Sequence, residues 1–237
     1  MPKAISLNAY QNMSNYKKPT SIDVQESFKF PPYSTVIGMI HKVCNFKEYV
    51  PMQISIQGKY KSSVSNMYTR YFFGSSYDVD RHQYCINNID GSKDGIIRGL
   101  GYAELVIDVD LIIHIKPDDE NMFDIILQGL RNPVVFPALG RHEDLLRIDS
   151  VIAVELEEAA TIPLYNDAYI PIKYFRNATD VVGTVYTLNK EFNKNEPGKI
   201  RTWKEKVKVK YIKEGEYLRF AKKIYKEKNS DIGVFFA

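Results

Sequence analysis

The stretch FPPYSTVIGMIH, residues 30–41, decides how the first part of the chain folds, because it reads as a sharp helix start. The two prolines exclude a helix before residue 33, and Ser34 or Thr35 is expected to cap the helix by accepting a hydrogen bond from a first-turn N–H. Apolar residues then recur on one helical face, which predicts a helix over 34–44 that packs on a core. These residues are Val36, Ile37, Ile40, Val43 and Cys44.

Two glycines inside predicted elements indicate places where another group packs close to the backbone. Gly38 lies inside the helix, where glycine costs about 1 kcal/mol relative to alanine, so we expect a backbone or a ligand to come close there. Gly58, inside a predicted strand, marks a bulge or another close approach. The first helical turn carries no acidic residue. Its unpaired N–H groups therefore form a natural anion site, although an ordinary well-capped surface helix explains the same pattern.

Outward from this helix, the hydrophobic pattern predicts the order strand, helix, strand, strand, helix, strand. Alternating or continuous apolar runs predict strands at 3–10, 52–60, 103–116 and 150–157. A second helix is predicted after the acidic residues 118–120 and stops by Asn132. The polar residues 11–27 are expected to form a surface loop. This order is that of an α+β, ferredoxin-like (RRM-like) βαββαβ domain with a four-stranded antiparallel sheet.

Residues 61–102 interrupt this order. They are rich in Ser, Asn, Asp, Gly and Tyr, and some forty residues without regular structure usually indicate a functional insertion. We predict a projecting loop or hairpin at 61–102 within a domain of residues 1–158, followed by a smaller β-rich subdomain at 159–237. Residues 217–228 fit either a basic helix or a strand. Further strands are predicted at 168–175, 181–188 and 204–212, the last with a basic face of Lys206, Lys208 and Lys210.

Composition limits the class of protein. The 237 residues carry a net charge of +3, which hides a basic start, an acidic middle and a basic end. Residues 1–62 hold eight basic and three acidic residues, residues 104–158 four and thirteen, and residues 190–228 fourteen and six. Opposed charged regions suggest a polyanion on one surface and a protein neighbour on another, although lysine- and glutamate-rich surfaces are also common in cytosolic proteins.

Several classes of protein are disfavoured. No apolar run reaches the roughly 18 residues of a membrane span, and the first residues lack the apolar core of a signal peptide. Cys44 and Cys85 are the only cysteines and form no CxxC motif. A reduced, cytoplasmic protein without membrane association or structural zinc is expected. Gly99-Leu100-Gly101 precedes a strand, so no dinucleotide fingerprint is present, and we expect no cofactor and no metal.

Three segments together resemble one known family. They are SNYKKP (residues 14–19) after the first strand, FPPYSTVIGMIH (residues 30–41) at the helix start, and ALGRHED (residues 138–144) between the second helix and the fourth strand. GKYK (58–61), YTR (68–70) and the final VFFA (234–237) add weaker support. The chain resembles the CRISPR-associated Cas-five family of the RAMP superfamily, most closely its type I-B branch. Related sequences usually carry an Arg where this chain has Lys17 and Lys18, and lysine keeps the charge but loses the bidentate grip on phosphate.

The resemblance implies a specific function. Members of this family hold the 5′ handle of the guide RNA (crRNA) in type I Cascade complexes and touch the backbone subunit and the large subunit. Target DNA is then contacted indirectly, through the complex. The resemblance also implies an RRM-like domain, a smaller C-terminal β subdomain and a thumb-like insertion, which in this chain would be residues 61–102.

Residue chemistry predicts which side chains meet the RNA. Backbone N–H groups of the helix start and the glycine loop suit phosphates or base edges, cations add a salt-dependent attraction, and aromatic faces stack splayed-out bases at roughly 1–3 kcal/mol each. Core packing of the aromatic residues and plain solvation of the lysines are the alternatives. The candidate RNA-binding residues are Lys17, Lys18, Tyr33, Ser34, Thr35, Lys59, Lys61, Tyr68, Arg70, Tyr71, Arg81, His82, Leu139, Gly140, Arg141 and His142.

Two other functions compete with RNA capping. A metal-independent endoribonuclease that processes precursor crRNA would need a Tyr, Lys or His acid–base pair, as type I-C members of the family have. His41, His82, His114 and His142 are the available histidines. His82 in the insertion could meet a Tyr or Lys in space, but nothing in the spacing shows it. Type I-B systems leave this step to a separate ribonuclease, so we expect no catalysis. A protein-interaction module with basic surfaces is the third possibility.

Overall fold

A computed structural model describes residues 2–21, 24–176, 181–193 and 202–237. Within these ranges the chain forms two α-helices, α1 (Tyr33–Val43) and α2 (Met122–Arg131). The strands are β1 (Lys3–Ser14), β2 (Tyr16–Lys17), β3 (Val24–Gln25), β4 (Ser27–Phe28), β5 (Met52–Ser76), β6 (Tyr84–Asn87), β7 (Lys93–Pro117), β8 (Arg147–Pro163), β9 (Asp167–Pro171), β10 (Thr184–Phe192), β11 (Trp203–Ile212), β12 (Tyr217–Glu227) and β13 (Gly233–Val234). Parts of the predicted 11–27 loop and C-terminal subdomain lie outside the described residues.

Eleven of these strands form one sheet. Its order is β10-β11-β9-β5-β7-β1-β8-β12-β13, with β3 and β6 also paired to β7, while β2 and β4 form a separate pair. The central strands β5, β7, β1 and β8 are antiparallel to their neighbours. Helix α1 precedes β5, and α2 joins β7 to β8. The predicted order of strands and helices is therefore present, within a protein that is mostly β-sheet.

Both helices share one apolar core with the central strands. Ile5 and Leu7 of β1 lie opposite Ile115 and Ile113 of β7, and all four side chains are buried. Helix α1 buries Tyr33, Val36, Ile37, Met39, Ile40 and Val43, and α2 buries Ile126, Leu127 and Leu130. Burial of such a side chain is worth roughly 1.5–3 kcal/mol. The apolar face predicted for the first helix is confirmed.

The expectation of a surface loop at 11–27 is wrong. Strand β1 continues to Ser14, and Gln11, Asn15, Tyr16 and Ser27 are buried. These polar groups bond one another instead of water: the Tyr16 hydroxyl donates to Gln11 Oε1 at 2.6 Å, and the Tyr16 N–H donates to Ser27 Oγ at 2.9 Å. A polar composition indicated exposure, but hydrogen bonding within the segment allows its burial.

Residues 61–102 form most of a long hairpin, as one of the two predicted alternatives had it. Strands β5 and β7 pair from Met52 opposite Pro117 to Ser76 opposite Asp94, and β6 adds a short strand near the tip. The expectation that this region lacks regular structure is wrong. Both faces of the outer hairpin are solvated, so no apolar alternation is needed to hold the strands, and backbone pairing continues without it.

The strands after β8 extend both edges of the sheet. Strands β9, β11 and β10 add to β5, whereas β12 and β13 add to β8. Residues 217–228 therefore contribute a strand and not a helix. The predicted basic face of β11 is incomplete, because Lys210 is only 4% exposed and its Nζ donates to the carbonyl of Val181. The proposed boundary at 158/159 falls inside β8, and the division into domains stays a prediction.

The two glycines differ in their surroundings. A Cβ on Gly58 would lie 2.1 Å from the carbonyl oxygen of Asp110, so the predicted close approach in β5 is confirmed. A Cβ on Gly38 would meet no atom within 4 Å. Within the described part of the chain, no protein group packs on this helical glycine.

Candidate nucleic-acid interface

Three segments that are distant in sequence meet around one small cavity. It has a volume of about 200 Å³ and lies between the β1–β2 connection, the start of α1 and the glycine loop at residues 138–144. We name it the loop cavity. Its lining consists of Asn15, Tyr16, Lys17, Gln25, Pro32, Thr35, Gly140 and Arg141. Four predicted RNA-binding residues, Lys17, Thr35, Gly140 and Arg141, are thus brought together.

A buried carboxylate holds the glycine loop against the end of β1. Asp144 is 2% exposed, and its Oδ2 accepts hydrogen bonds of 2.9 Å from the N–H of Asn15 and from the N–H of Arg141. Gln11 Nε2 donates to the carbonyls of Leu139 and Asp144 at 2.9 and 2.8 Å. The two bonds to the Asp144 carboxylate are charge-assisted and therefore stronger than the neutral bonds from Gln11. Hydrogen bonds from Gln11 and Asn15 therefore hold the glycine loop against the end of β1.

Gly140 is required where the loop turns. Its φ is +103°, in the left-handed region that side chains disfavour. A Cβ there would also lie 2.7 Å from both the carbonyl oxygen of Asn15 and Oδ2 of Asp144. The glycine thus permits the close approach that forms one wall of the loop cavity.

The guanidinium of Arg141 is engaged by two carboxylates. Its Nη2 donates to Asp144 Oδ1 at 2.7 Å, and Nη1 lies 3.0 Å from Glu143 Oε1. The hydrogen bond to Asp144 raises the pKa of Arg141. The sequence predicts that this cation binds phosphate. In the structure it binds the carboxylates of Asp144 and Glu143 and stabilises the loop.

The start of α1 has no side-chain cap. The residue at the N-cap is Pro32, and neither Ser34 nor Thr35 makes a capping hydrogen bond, so that prediction is wrong. The N–H groups of Thr35 and Val36 donate to the carbonyl of Pro32 instead, at 3.0 and 3.3 Å. Ser34 and Thr35 are half-buried, and the first turn contains no acid. Their hydroxyls remain beside the helix start, where an anion would bind.

Two predicted contacts are buried in the protein. Tyr33 is fully buried in the core, so its side chain cannot reach RNA in this conformation. Leu139 is also buried, and its N–H donates to the carbonyl of Asp144 at 3.1 Å. The expectation that the Tyr33 side chain or the Leu139 N–H is free to contact RNA is corrected, because the first is buried in the core and the second is bonded to Asp144.

The predicted lysines fall outside the core, with different partners. Lys17 is exposed and forms no ion pair within the described residues. Lys18 pairs with Glu26 at 3.1 Å, Lys59 with Glu214 at 2.5 Å and Lys61 with Asp108 at 3.7 Å. Exposed pairs of this kind contribute at most about 1 kcal/mol, so a phosphate can compete for these ammonium groups.

The hairpin carries exposed rings toward its outer end, where Tyr71 lies opposite Arg98 and Phe72 opposite Ile97. Tyr71, Phe72 and Phe73 are 50%, 48% and 69% exposed, which excludes the core-packing alternative for them. Arg70 lies over the ring of Phe72, with 4.9 Å from its Cζ to the ring centroid. Tyr68 is fixed differently: its hydroxyl accepts a 2.5 Å hydrogen bond from Gln25 Nε2.

The outer hairpin holds Arg81 and His82 in different environments. Arg81 is exposed, whereas His82 is 9% exposed and fastens the tip. Its Nδ1 accepts from the N–H of Asp78 at 2.9 Å, and its Nε2 lies 2.8 Å from Ser75 Oγ. A Cβ on Gly95 would lie 2.2 Å from this ring. His82 is thus a structural residue rather than a free RNA ligand, which corrects that expectation.

The other histidines are also accounted for. Val50 N–H donates to His41 Nε2 at 2.9 Å, so the proton sits on Nδ1 and is donated to the Ile37 carbonyl. Burial lowers the pKa of His41. His114 is buried with its Nε2 2.8 Å from Glu227, and the exposed His142 lies beside Glu143. In the described part of the chain, no histidine forms a hydrogen bond with a tyrosine hydroxyl or a lysine ammonium.

Sequence reasoning missed three residues of the site. Asn15, Gln25 and Asp144 were not chosen as site residues, although Asn15 and Asp144 lie inside segments that carry the family resemblance. Asn15 is 1% exposed, and its Nδ2 donates to the carbonyls of Gln25 and Glu104 at 2.8 and 2.7 Å. Its Oδ1 has no hydrogen-bond partner among the described residues. The position of Asn15 and Asp144 inside the family segments could have identified them as site residues.

Two absences hold for the described residues alone. No helix there has the length and apolar character needed to cross a membrane. No group of three or more His, Cys, Asp or Glu residues there is arranged to hold a metal ion.

Comparison with known proteins defines the class and then the family. The sequence matches the family described as "CRISPR-associated protein (Cas_Cas5)" over residues 4–213. The protein is thus a CRISPR-associated protein. It belongs to the Cas_Cas5 family, which is the Cas-five family predicted from its motifs. No curated protein matches the sequence.

Solved structures share the fold at low sequence identity. One, described as "CRISPR RNA-guided surveillance complex", is 14% identical with a TM-score of 0.58, over 89% of this chain and 90% of that chain. Another, a CRISPR protein from Archaeoglobus fulgidus, is 8% identical with a TM-score of 0.53, over 99% of both chains. These similarities concern the fold.

Proposed function

We propose that this protein is the RNA-binding subunit of a type I CRISPR Cascade complex and caps the 5′ handle of the crRNA. The observation that carries the proposal is the meeting of the three family segments around the loop cavity, where Asp144 fastens the glycine loop to Asn15. Nothing in the position of these segments along the chain requires them to meet. Their convergence on one concave site supports a shared ligand.

The chemistry of the loop cavity suits a single-stranded RNA. No hydrogen bond from the N–H groups of Tyr33 or Ser34 is seen within the described residues, so the start of α1 offers donors to a phosphate. Lys17 supplies a charge at the same place, and the Thr35 hydroxyl is a further donor. The hairpin rings Tyr71 and Phe72 would stack bases further along the strand.

The architecture supports a wider proposal about the complex. The antiparallel order β5-β7-β1-β8, with α1 and α2 in the connections, supports a ferredoxin-like (RRM-like) domain of the RAMP type. The hairpin at 61–102 would be its thumb, and residues 159–237 its smaller β-rich subdomain. In this proposal the protein works in the cytoplasm, contacts the backbone and large subunits, and meets target DNA only through them.

A metal-independent endoribonuclease is less well supported. Cleavage through the ribose 2′-OH needs a general acid and base within hydrogen-bond reach of one another and of the RNA. His41 and His82 use both ring nitrogens inside the protein, and His114 is buried against Glu227. The proposed role is therefore binding without catalysis.

Fluorescence anisotropy with labelled handle RNA and an unrelated RNA of equal length tests the proposal. Lys17→Ala should weaken handle binding and lower the slope of log affinity against log salt by about 1. Lys228→Ala removes the same charge from an exposed pair with Glu155 and serves as the control. Equal affinity for both RNAs, unchanged by Lys17→Ala, would refute handle capping. Cleavage of repeat RNA by the purified protein in EDTA would establish the nuclease instead.

A further inference from the structure

A second concavity adjoins the loop cavity along the exposed side of α1. It has a volume of about 570 Å³ and lies between α1, residues 46–49 and the strands β10 and β11. We name it the helix groove. Lys17, Pro32 and Thr35 line both the helix groove and the loop cavity. A ligand that leaves the loop cavity past Lys17 therefore enters the helix groove directly.

Gly38 lies in the wall of this groove. It is exposed, and a Cβ placed on it would meet nothing within 4 Å. Alanine would fit without a clash and would strengthen the helix, so packing inside the protein gives no reason for a glycine. A bound group that packs directly on the helix backbone does give a reason, since a side chain at this position would hold it away.

Several aromatic rings line the groove, and one of them is held in place. Tyr49 stacks on His41, with 5.6 Å between ring centroids and 17° between ring planes. The His41 ring is itself fixed at both nitrogens, by the Ile37 carbonyl and the Val50 N–H. Phe46 and Trp203 also line the groove. Rings that are already positioned stack on a planar group with little loss of side-chain entropy.

The charges of the groove favour a nucleic acid over an acidic or neutral protein segment. Lys17, Lys47 and Lys190 line it together with Glu48. Lys190 pairs with Glu205 at 3.3 Å, so Lys17 and Lys47 are the cations that would meet a phosphate. Strand β10 ends the sheet beside the groove, so an extended peptide added to that strand is the competing occupant. Continuity with the loop cavity and the basic lining both favour RNA, and aromatic stacking suits its bases.

We propose that the helix groove binds an unpaired nucleotide of the same RNA that occupies the loop cavity. The base would stack on Tyr49 or Trp203 and rest against the helix at Gly38, and a lysine would meet its phosphate. This inference rests on the proposed RNA-binding function and adds a second, sequence-tolerant subsite to it. Stacking reads any base, so the subsite contributes affinity rather than base identity.

Trp203 is the only tryptophan of the chain, so its fluorescence reports occupancy of the groove. The full-length protein is titrated with handle RNA while anisotropy of the labelled RNA measures total binding. Binding should quench Trp203 in the wild type. Gly38→Leu should fill the groove, abolish the quenching and weaken the affinity on the order of tenfold, the range expected for one stacked base. Gln128→Leu, which places the same apolar side chain on the exposed side of α2, should alter neither reading.

The possible outcomes are distinct. Handle RNA that binds without quenching Trp203, and equally well to Gly38→Leu, would overturn the groove subsite and leave handle capping intact. Gly38→Leu that keeps RNA affinity but loses binding to purified backbone or large subunit would show that a peptide occupies the groove, and would also overturn the proposal. Absence of any RNA binding would refute both the subsite and the proposed function.

Discussion

Asp144 accepts a hydrogen bond from the backbone N–H of Asn15, a residue 129 positions earlier in the chain, at 2.9 Å. The same oxygen accepts from the N–H of Arg141. One carboxylate therefore aligns two segments that both line the loop cavity. The geometry of the cavity depends on this buried side chain more directly than on any of its cations.

Replacing the carboxylate should loosen the site. We expect Asp144→Asn to lower the free energy of unfolding by roughly 2–4 kcal/mol, because a buried charged partner of Arg141 is lost. Chemical denaturation measures the change. Glu143→Gln is the control, since Glu143 pairs with the same arginine but its side chain is 46% exposed, and it should cost less than about 1 kcal/mol. Equal losses in the two variants would contradict the assigned role of Asp144.

The glycine loop should not tolerate a side chain. Gly140→Ala is expected to destabilise the protein by at least roughly 1–3 kcal/mol, the cost of a left-handed conformation, with a further loss from the clash with Asn15 and Asp144. Gly91→Ala provides the comparison, because Gly91 also has a positive φ of +83° but a Cβ there would meet nothing within 4 Å. Similar midpoints of denaturation for the two variants would exclude the close approach.

Gly38→Ala should instead stabilise the protein. The exposed helical glycine has free space around it, so alanine is expected to raise the free energy of unfolding by roughly 0.5–1 kcal/mol. Thermal and chemical unfolding of the two proteins measure this directly. A loss of stability would mean that the backbone at residue 38 needs the freedom of glycine for its own fold.

His41 should make stability depend on pH. Burial lowers its pKa in the folded protein, whereas the unfolded chain has a pKa near the ordinary value of about 6.5. As the pH falls below about 6.5, the unfolded state takes up the proton first, so stability present at neutral pH is lost on acidification. His41→Gln should show a shallower loss between pH 7.5 and 5.5. His142→Gln, at a side chain 98% exposed, should match the wild type.

Periodicity was enough to predict the elements that bury one apolar face. Helix α1 and strands β1 and β7 carry regular apolar spacing, and each lies where the spacing indicates. Family resemblance added the segments that would form the site. What neither could predict is which polar groups are used up inside the protein, because that depends on contacts between residues far apart in sequence.

Arg141 and Tyr33 illustrate this limit. Both are residue types that often bind RNA, yet the arginine is held by Asp144 and Glu143, and the tyrosine is fully buried. The hairpin illustrates the converse. Its composition resembles that of a loop, but pairing between β5 and β7 needs only backbone groups, so the side chains gave no indication of a strand.

The hydrogen bond between Gln25 and Tyr68 connects two regions that could otherwise act separately. Gln25 lines the loop cavity, Tyr68 belongs to the hairpin, and Val24 pairs in parallel with Tyr102 on the other hairpin strand. A partner that tilted the hairpin would therefore alter the cavity wall. By thermodynamic reciprocity, a ligand in the cavity would change the affinity for that partner by the same factor, so the two binding events would be energetically interdependent.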